Sequence, residues 1–216
     1  MVEYYNGSGT IVNYFIGKNF VLGPLVSLGK DPLLSEGKLK IGNNAIIRSH
    51  TVIYKGTVIG DNFQTGHGVL IRENNEIGNN VSIGSHTVVE RNNKIADNVR
   101  IHSMCFIPEF VIIQKNAWIG PHVTITNILH PPCPKFEDCA PGVVIGKNAK
   151  IGANVTILPH VIIGKNSLIG AGAVVTKSIP PDVVAVGNPA KVICNIKDLK
   201  CEMGYYKIPY EWEEKE

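Results

Sequence analysis

Five of the chain's seven histidines recur along its middle at a near-constant interval: His50, His67, His86, His102 and His122. Three of them, His50, His86 and His122, stand 36 residues apart (86 − 50 = 122 − 86 = 36). An imidazole titrates near pH 6.5, so it can take a proton from a nucleophile at neutral pH, and in its neutral form it ligates metals. A sixth, His130, lies in ITNILHPPCPKFEDC beside Cys133 and Cys139, with Asn127 three residues before it. An amide there can orient a nucleophile or donate to an oxyanion. Arg72, in IRENNE, offers a planar fork suited to phosphate. Each group also has a plain structural reading. Histidine suits an exposed bend, and Arg72 with Glu73, Glu90, Arg91 and Glu109 can form a ladder of ion pairs worth little individually.

A repeat shows what must position these residues. Every sixth residue from Ile41 to Ile125, and again from Ile145 to Val175, is aliphatic except Thr65; twenty of these 21 positions are Ile or Val and ten are followed by Gly. An earlier stretch in a different phase adds Ile16, Leu22 and Leu28. Six residues suit one short strand plus one bend, and three bends close a triangle. Eighteen residues then make one coil, and coils stack at the spacing of neighbouring strands, about 4.8 Å. One corner repeats Asn44, Asn62, Asn80, Asn98, Asn116, Asn148 and Asn166. Asn tolerates the left-handed backbone of a tight bend and can bond up a stack. The expected fold is an all-β, triangular parallel solenoid.

Columns follow from the coil. The hexads IRSHTV, TGHGVL, IGSHTV, IHSMCF and IGPHVT put the five histidines on a second corner. The third corner carries Lys55, Glu73, Arg91, Glu109 and Asn127. Residues 131–144 interrupt the repeat without losing its phase, as a loop pushed out from one bend does. In the later coils Gly152, Ala153, Gly170 and Ala171 are small enough to let a ligand lie against backbone amides. Lys115, Lys147, Lys150, Lys165, Lys177 and Lys191 make that half basic.

Composition removes other classes. With 28 Ile and 23 Val against 10 Ala and 11 Leu, a mainly helical protein is excluded. Disorder is excluded by 44% hydrophobic and 18% charged residues. A net charge of +3 is too small to argue for nucleic acid. No apolar run approaches the ~20 residues that span a bilayer, and the amino terminus lacks signal-peptide features, so a cytoplasmic protein without membrane insertion is expected. Five cysteines argue against a disulfide framework. The expected organisation is a solenoid over 1–192 with an external loop at about 130–144, and a cap over 193–216 holding Tyr205, Tyr206, Tyr210 and Trp212.

The hexads resemble the hexapeptide-repeat acyltransferases over residues 16–192. That resemblance implies a left-handed β-helix, a homotrimer, and a site where two subunits meet along an edge. VVTKSIPPDVVAVGNPAKVI (174–193) is similar to the end of coenzyme A-dependent sugar acetyltransferases, implying acetyl-coenzyme A as donor. IGPHVTITNILHPP (119–132) resembles the maltose and galactoside acetyltransferase motif, which places a general base on His130. It is equally similar to N-acetyltransferases of nucleotide-linked 3-amino sugars, which places Asn127 near the acceptor amine; GHGVLIRE, HTVVER and HPPCP favour this second group. The expected site is therefore His130, His67 and Asn127 for catalysis and His86, Arg72 and His122 for the acceptor. Gly152, Ala153, Gly170, Ala171, Lys177 and Lys191 are expected to hold the coenzyme, and no metal is required.

Three other readings stand beside this one. A γ-class carbonic anhydrase needs a third zinc-ligating histidine where this chain has Asn127, and an amide is a poor zinc ligand. His130, Cys133 and Cys139 form a sparse soft-ligand set in the loop. A non-catalytic scaffold has no need of the GNPAK ending or the histidine edge.

Overall fold

The computed structural model describes residues 4–5, 11–12, 14–32, 37–135, 139–140 and 142–210. The aliphatic hexads become three parallel sheets wrapped around one apolar core. The first sheet stacks Tyr14–Ile16, Leu39–Ile41, Val58–Ile59, Glu76–Ile77, Lys94–Ile95, Ile112–Ile113, Val144–Ile145 and Ile162–Ile163. The second runs from Val21–Leu22 to Val183–Val186 and ends on Lys191–Asn195, and the third from Ser27–Lys30 to Val174–Val175. Two-residue strands are stable here because each pairs on both sides, as Ile83 does with Thr65 and Ile101.

In each strand pair the second residue points inward. Ile47, Ile53, Ile71, Ile107, Ile113 and Ile119 are all fully buried. Thr65, which breaks the aliphatic register, is buried too: its Oγ1 accepts the Arg48 N–H at 3.0 Å and lies 3.3 Å from Thr51 Oγ1. A hydroxyl serves there because a donor and a second hydroxyl face it.

Bends place one residue per corner in the left-handed region. On the first corner these are Asn19, Asn44, Asn62, Asn80, Asn98, Asn116, Asn148 and Asn166, and their amides bond from coil to coil at 2.8–3.3 Å as far as Asn116. The ladder resumes from Asn148 to Asn166 and ends on Asp182 Oδ1 at 2.7 Å. Many hexad glycines answer a different need: a Cβ on Gly42, Gly60 or Gly120 would meet the backbone of the next coil.

Both interruptions fall on the third corner. Ile16 pairs with Ile41, 25 residues on, so seven residues are added to the first coil; Ile113 pairs with Ile145, 32 residues on, so fourteen are added later. Pairing resumes in register each time. The phase-shifted Ile16, Leu22 and Leu28 are thus the first coil, paired with Ile41, Ile47 and Ile53. The boundary expected at 192 falls inside the strand Lys191–Asn195, which pairs antiparallel with Val183–Val186 and closes the second sheet. Tyr210 reaches back to Lys150, whose Nζ lies 5.1 Å from its ring centroid, while Trp212 lies outside the described residues.

Ile119→Ala removes a fully buried side chain from the middle of the stack, whereas Val58 is 46% exposed. Urea denaturation is expected to show a loss of about 2–5 kcal/mol for the first and under about 0.5 kcal/mol for Val58→Ala.

Candidate active site

The second corner gathers more of the predicted groups than any other. Leu25, His50, Gly68, His86, Met104, His122, Asn154 and Gly172 occupy its left-handed column, with φ between 56° and 71°. Met104 in that column shows that the bend itself does not demand a polar side chain. Histidines 50, 86 and 122 alternate with Gly68 and Met104, so each is two coils, roughly 10 Å, from the next. That is too far for one chain's three rings to share a metal, and no cluster of three metal-binding side chains exists among the described residues. Gly68 lacks a Cβ where the His86 ring lies; one built there would sit 2.8 Å from His86 Nδ1. His67 precedes this column, is exposed, and has Nδ1 2.6 Å from Ser49 Oγ.

His102 takes a place that Gly84 and Gly120 fill in adjoining coils. Its ring packs on Trp118 with centroids 4.6 Å apart, and its Nε2 is buried without a partner. Burial, assisted by the Arg100 charge, pushes this imidazole below its ordinary range. Counting histidines on the edge could not distinguish this packed ring from the exposed ones.

Higher on the same corner lie the groups expected to hold the coenzyme. Gly152 is dictated by stacking, since its Cβ would be 2.5 Å from Ala171 N; Gly170 would clash with Val186 Cγ1 at 2.7 Å. Their glycine character thus belongs to the coil contact rather than to a ligand. The open places are Ala171 and Gly172, the latter with nothing within 4 Å of a built Cβ. The turn Gly187–Ala190 closes this corner: Val174 N–H donates to Gly187 O at 3.0 Å and Ala190 N–H to Val174 O at 2.8 Å. Lys191 follows directly and is exposed. Lys177, also exposed, is on the third corner instead.

The third corner holds Arg72, Asn127 and His130. Arg72 bonds both oxygens of Glu73 at 2.8 and 3.0 Å, reaches Glu90 Oε2 at 3.5 Å, and lies 5.2 Å over the Tyr54 ring. Its fork faces two carboxylates within the chain. The column also differs from simple alternation, since Lys55 pairs with Asp31 at 2.6 Å. Beneath the ladder Asn75 and Asn93 are buried; Asn75 Oδ1 accepts from Asn93 N–H and Asn93 Oδ1 from Val111 N–H, at 2.9 and 2.7 Å.

Asn127 is 8% exposed, and its Nδ2 donates to Glu109 Oε2 at 2.9 Å. A carboxylate only accepts, so this contact settles the amide's orientation and turns Oδ1 away from Glu109. Glu109 thereby joins the site, a role that its place in a charge column did not reveal. Arg91 Nε lies 3.9 Å from its other oxygen. His130 is exposed at the start of the loop. The expected catalytic set is therefore not one cluster within a chain: Asn127 and His130 share the third corner, while His67 sits on the second, three coils or about 14 Å lower along the axis.

Burial works against the Glu73 carboxylate, but the Arg72 hydrogen bond, its own backbone amide and the two guanidinium charges outweigh it, so its pKa lies below the ordinary range. A depressed acid contributes stability that is present above its unfolded value, about 4.3, and is lost as pH falls through the lower folded value. Glu73→Gln is expected to flatten the acid limb of a stability–pH curve below about pH 4.3, with Tm measured at fixed ionic strength.

The profile described as bacterial transferase hexapeptide, six repeats, matches residues 56–91 and 142–177. Galactoside O-acetyltransferase of Escherichia coli K12 is 38% identical over 107 residues, covering 48% of this chain and 52% of that protein. The 2,3,4,5-tetrahydropyridine-2,6-dicarboxylate N-acetyltransferase of Staphylococcus carnosus TM300 is 42% identical over 92 residues, covering 41% and 36%. A galactoside acetyltransferase solved in complex with coenzyme A is 31% identical, covering 74% of this chain and 72% of that one, with a TM-score of 0.43. The chain spans about half or less of the length of the curated relatives it matches. No described helix is long and apolar enough to cross a membrane. Hexads that form three register-matched sheets, and sequence likeness centred on them, make this chain a member of the bacterial transferase hexapeptide family, whose fold is the left-handed β-helix.

Proposed function

We propose that the protein is an acetyl-coenzyme A-dependent N-acetyltransferase acting on an amino group of a nucleotide-linked amino sugar, and that it works as a homotrimer. The observation that carries this reading is the arrangement of the second corner. Histidines line its lower coils, Ala153, Ala171 and Gly172 its upper coils, and the Gly187–Ala190 turn its end. The small residues leave room along the edge for a pantetheine arm, and Lys191 beside the turn suits the coenzyme phosphates.

A threefold axis parallel to the solenoid rotates one copy onto the next without shifting it along the axis. The third corner of one copy then meets the second corner of its neighbour at equal height. Asn127 and His130 belong to the same coil as His122, so this assembly brings the loop of one subunit level with the neighbour's His122 and one coil below Ala153. The two corners that stand apart in one chain thereby complete each other.

Chemically, the sugar ammonium must lose a proton before attack, and the exposed imidazole of His130 is suited to accept it. The neutral amine keeps two N–H groups. Asn127 Oδ1, turned away from Glu109, can hold one of them while the lone pair attacks the thioester carbon. The carbonyl π pair moves onto oxygen, and collapse expels the coenzyme A thiolate, which takes up the proton that the acylated nitrogen loses and leaves as free thiol. A hydroxyl nucleophile has only one proton, which a base must take, so an amide acceptor beside it is of less use.

Likeness to galactoside O-acetyltransferase and the HP dipeptide at 130–131 favour a second reading, O-acetylation of a simple sugar. A panel of nucleotide-linked amino sugars and free galactosides with acetyl-coenzyme A, scored by thiol release, separates the two. Amino-sugar nucleotides are expected to react at least tenfold faster; a preference for free galactosides overturns the first reading. Asn127→Ala and His130→Ala are each expected to lower kcat at least tenfold, and sedimentation is expected to report a trimer.

A further inference from the structure

His160, the seventh histidine, belongs neither to the second-corner edge nor to the loop. It stands on the third corner, in the left-handed region with φ 64°. Strand register fixes its height. Ile125 pairs with Ile157 and Ile157 with Val175, so Pro159 lies one coil above Asn127 and Lys177 two coils above. Val144 pairs with Ile112 below and Ile162 above, so Gly142 lies over Phe110 and His160 over Gly142. Gly142 is where the loop that carries His130 rejoins the solenoid, and a Cβ built there would overlap the Phe110 carbonyl. His160 therefore stands over the base of that loop with no side chain directly beneath it.

The chain holds the backbone of this bend and leaves the ring free. Leu158 N–H donates to Val175 O at 3.0 Å on one side, and Val161 O accepts from Val144 N–H at 3.1 Å on the other. Pro159 is buried. In the coil above, Ser178 Oγ already accepts from Ile162 N–H at 3.0 Å. The imidazole is exposed and makes no hydrogen bond or ion pair among the described residues. A left-handed bend disfavours most side chains, and Gly56, Asn74 and Asn92 fill lower bends of this corner. Here the position carries a titratable ring whose polar atoms the fold does not use.

In the proposed trimer each third corner faces its neighbour's second corner at equal height. Asn127 is then level with the neighbour's His122, His160 with its Ala153 and Asn154, and Lys177 with its Ala171 and Gly172. A pantetheine arm descending past Ala171 and Ala153 meets an amine held at Asn127 beside His160. The acylated nitrogen must lose a proton there and the departing sulfur must gain one. Both atoms sit on the same carbon, so direct transfer closes a strained four-membered ring. An imidazole lone pair can take the proton as a base and return it as an acid.

We propose that His160 carries this proton. Its free ring nitrogen takes it from the acylated nitrogen of the tetrahedral adduct and gives it to the coenzyme A sulfur as the C–S bond breaks. The amide nitrogen ends neutral, coenzyme A leaves as thiol, and the ring ends as it began. His130 keeps the earlier step, removal of the ammonium proton before attack. The role rests on the trimeric acetyltransferase reading.

His160→Asn and His160→Gly both suit a left-handed bend, so the thermal midpoint is expected to stay where it is. Each is expected to lower kcat at least tenfold, with the acceptor KM little changed. Added imidazole is expected to recover turnover in His160→Gly as its concentration rises, which a purely structural role would not allow. Without turnover, coenzyme A is expected to shift the His160 ring nitrogens in 1H–15N spectra. Unchanged kcat in both variants, imidazole without effect on His160→Gly, or ring nitrogens unmoved when calorimetry shows coenzyme A bound would overturn the proposal. If free galactosides react and amino-sugar nucleotides do not, the acceptor reading fails, and the same variants judge His160 with galactosides. If coenzyme A does not bind at all, both readings fail.

Discussion

Each coil of this protein is held by the coil above and below it, and this stacking governs everything else. Strands of two residues cannot persist alone; they exist because backbone N–H and C=O groups on both edges are satisfied at a spacing near 4.8 Å. The spacing leaves no space for a Cβ at places such as Gly42, Gly60 and Gly152, which explains the glycines that follow so many aliphatics. It also aligns equivalent residues into columns. A side chain here has two close neighbours of the same type of position, so chemistry on a corner is chemistry of a column.

The columns behave differently where they face outward and inward. Many outward bend residues pass donors from earlier to later coils, as the Asn ladder and the Asn43–Asp61 pair do, whereas Lys147 N–H turns back to Gln114 Oε1 at 3.0 Å. Inward polar residues reverse the direction: Asn93 N–H donates back to Asn75, and Val111 N–H to Asn93. The stacking sets the partners of each side chain in the adjoining coils, as Ser49 Oγ and His67 Nδ1 lie 2.6 Å apart. It also supports the third corner, where buried asparagines bond the carbonyls of Arg72 and Glu90 at 2.7 Å and steady the ion pairs outside.

Both interruptions of the repeat occur at that third corner, and both return in register. A bend can be opened into a loop without disturbing any sheet, because strands on either side keep their partners; Ile112 still pairs with Val144 across the longer one. The loop that carries His130 thus stands on a rigid base formed by Asn127, Glu109 and Arg91. The opposite requirement holds on the second corner, where an unbroken edge of eight stacked bends ends in the Gly187–Ala190 turn. One corner carries the loop and another the unbroken edge, and the two stand apart within one chain.

The period of six determined much by itself: which residues are buried, how many make a coil, which corner holds each Asn and His, and where the chain leaves the solenoid. These were legible because a solenoid's contacts are local and its columns are arithmetic. Even the irregular start was readable, as Ile16, Leu22 and Leu28 keep the period inside their own coil. Only the tertiary structure decided what each side chain does within its column. Arg72 turns to Glu73 and Glu90, Asn127 to Glu109, and His102 packs on Trp118 while His67 stays out. Spacing places a Cα, but side-chain direction depends on the neighbours of adjoining columns. For the same reason the sequence could group His67, Asn127 and His130 by residue type, whereas the stack separates them by corner and by height.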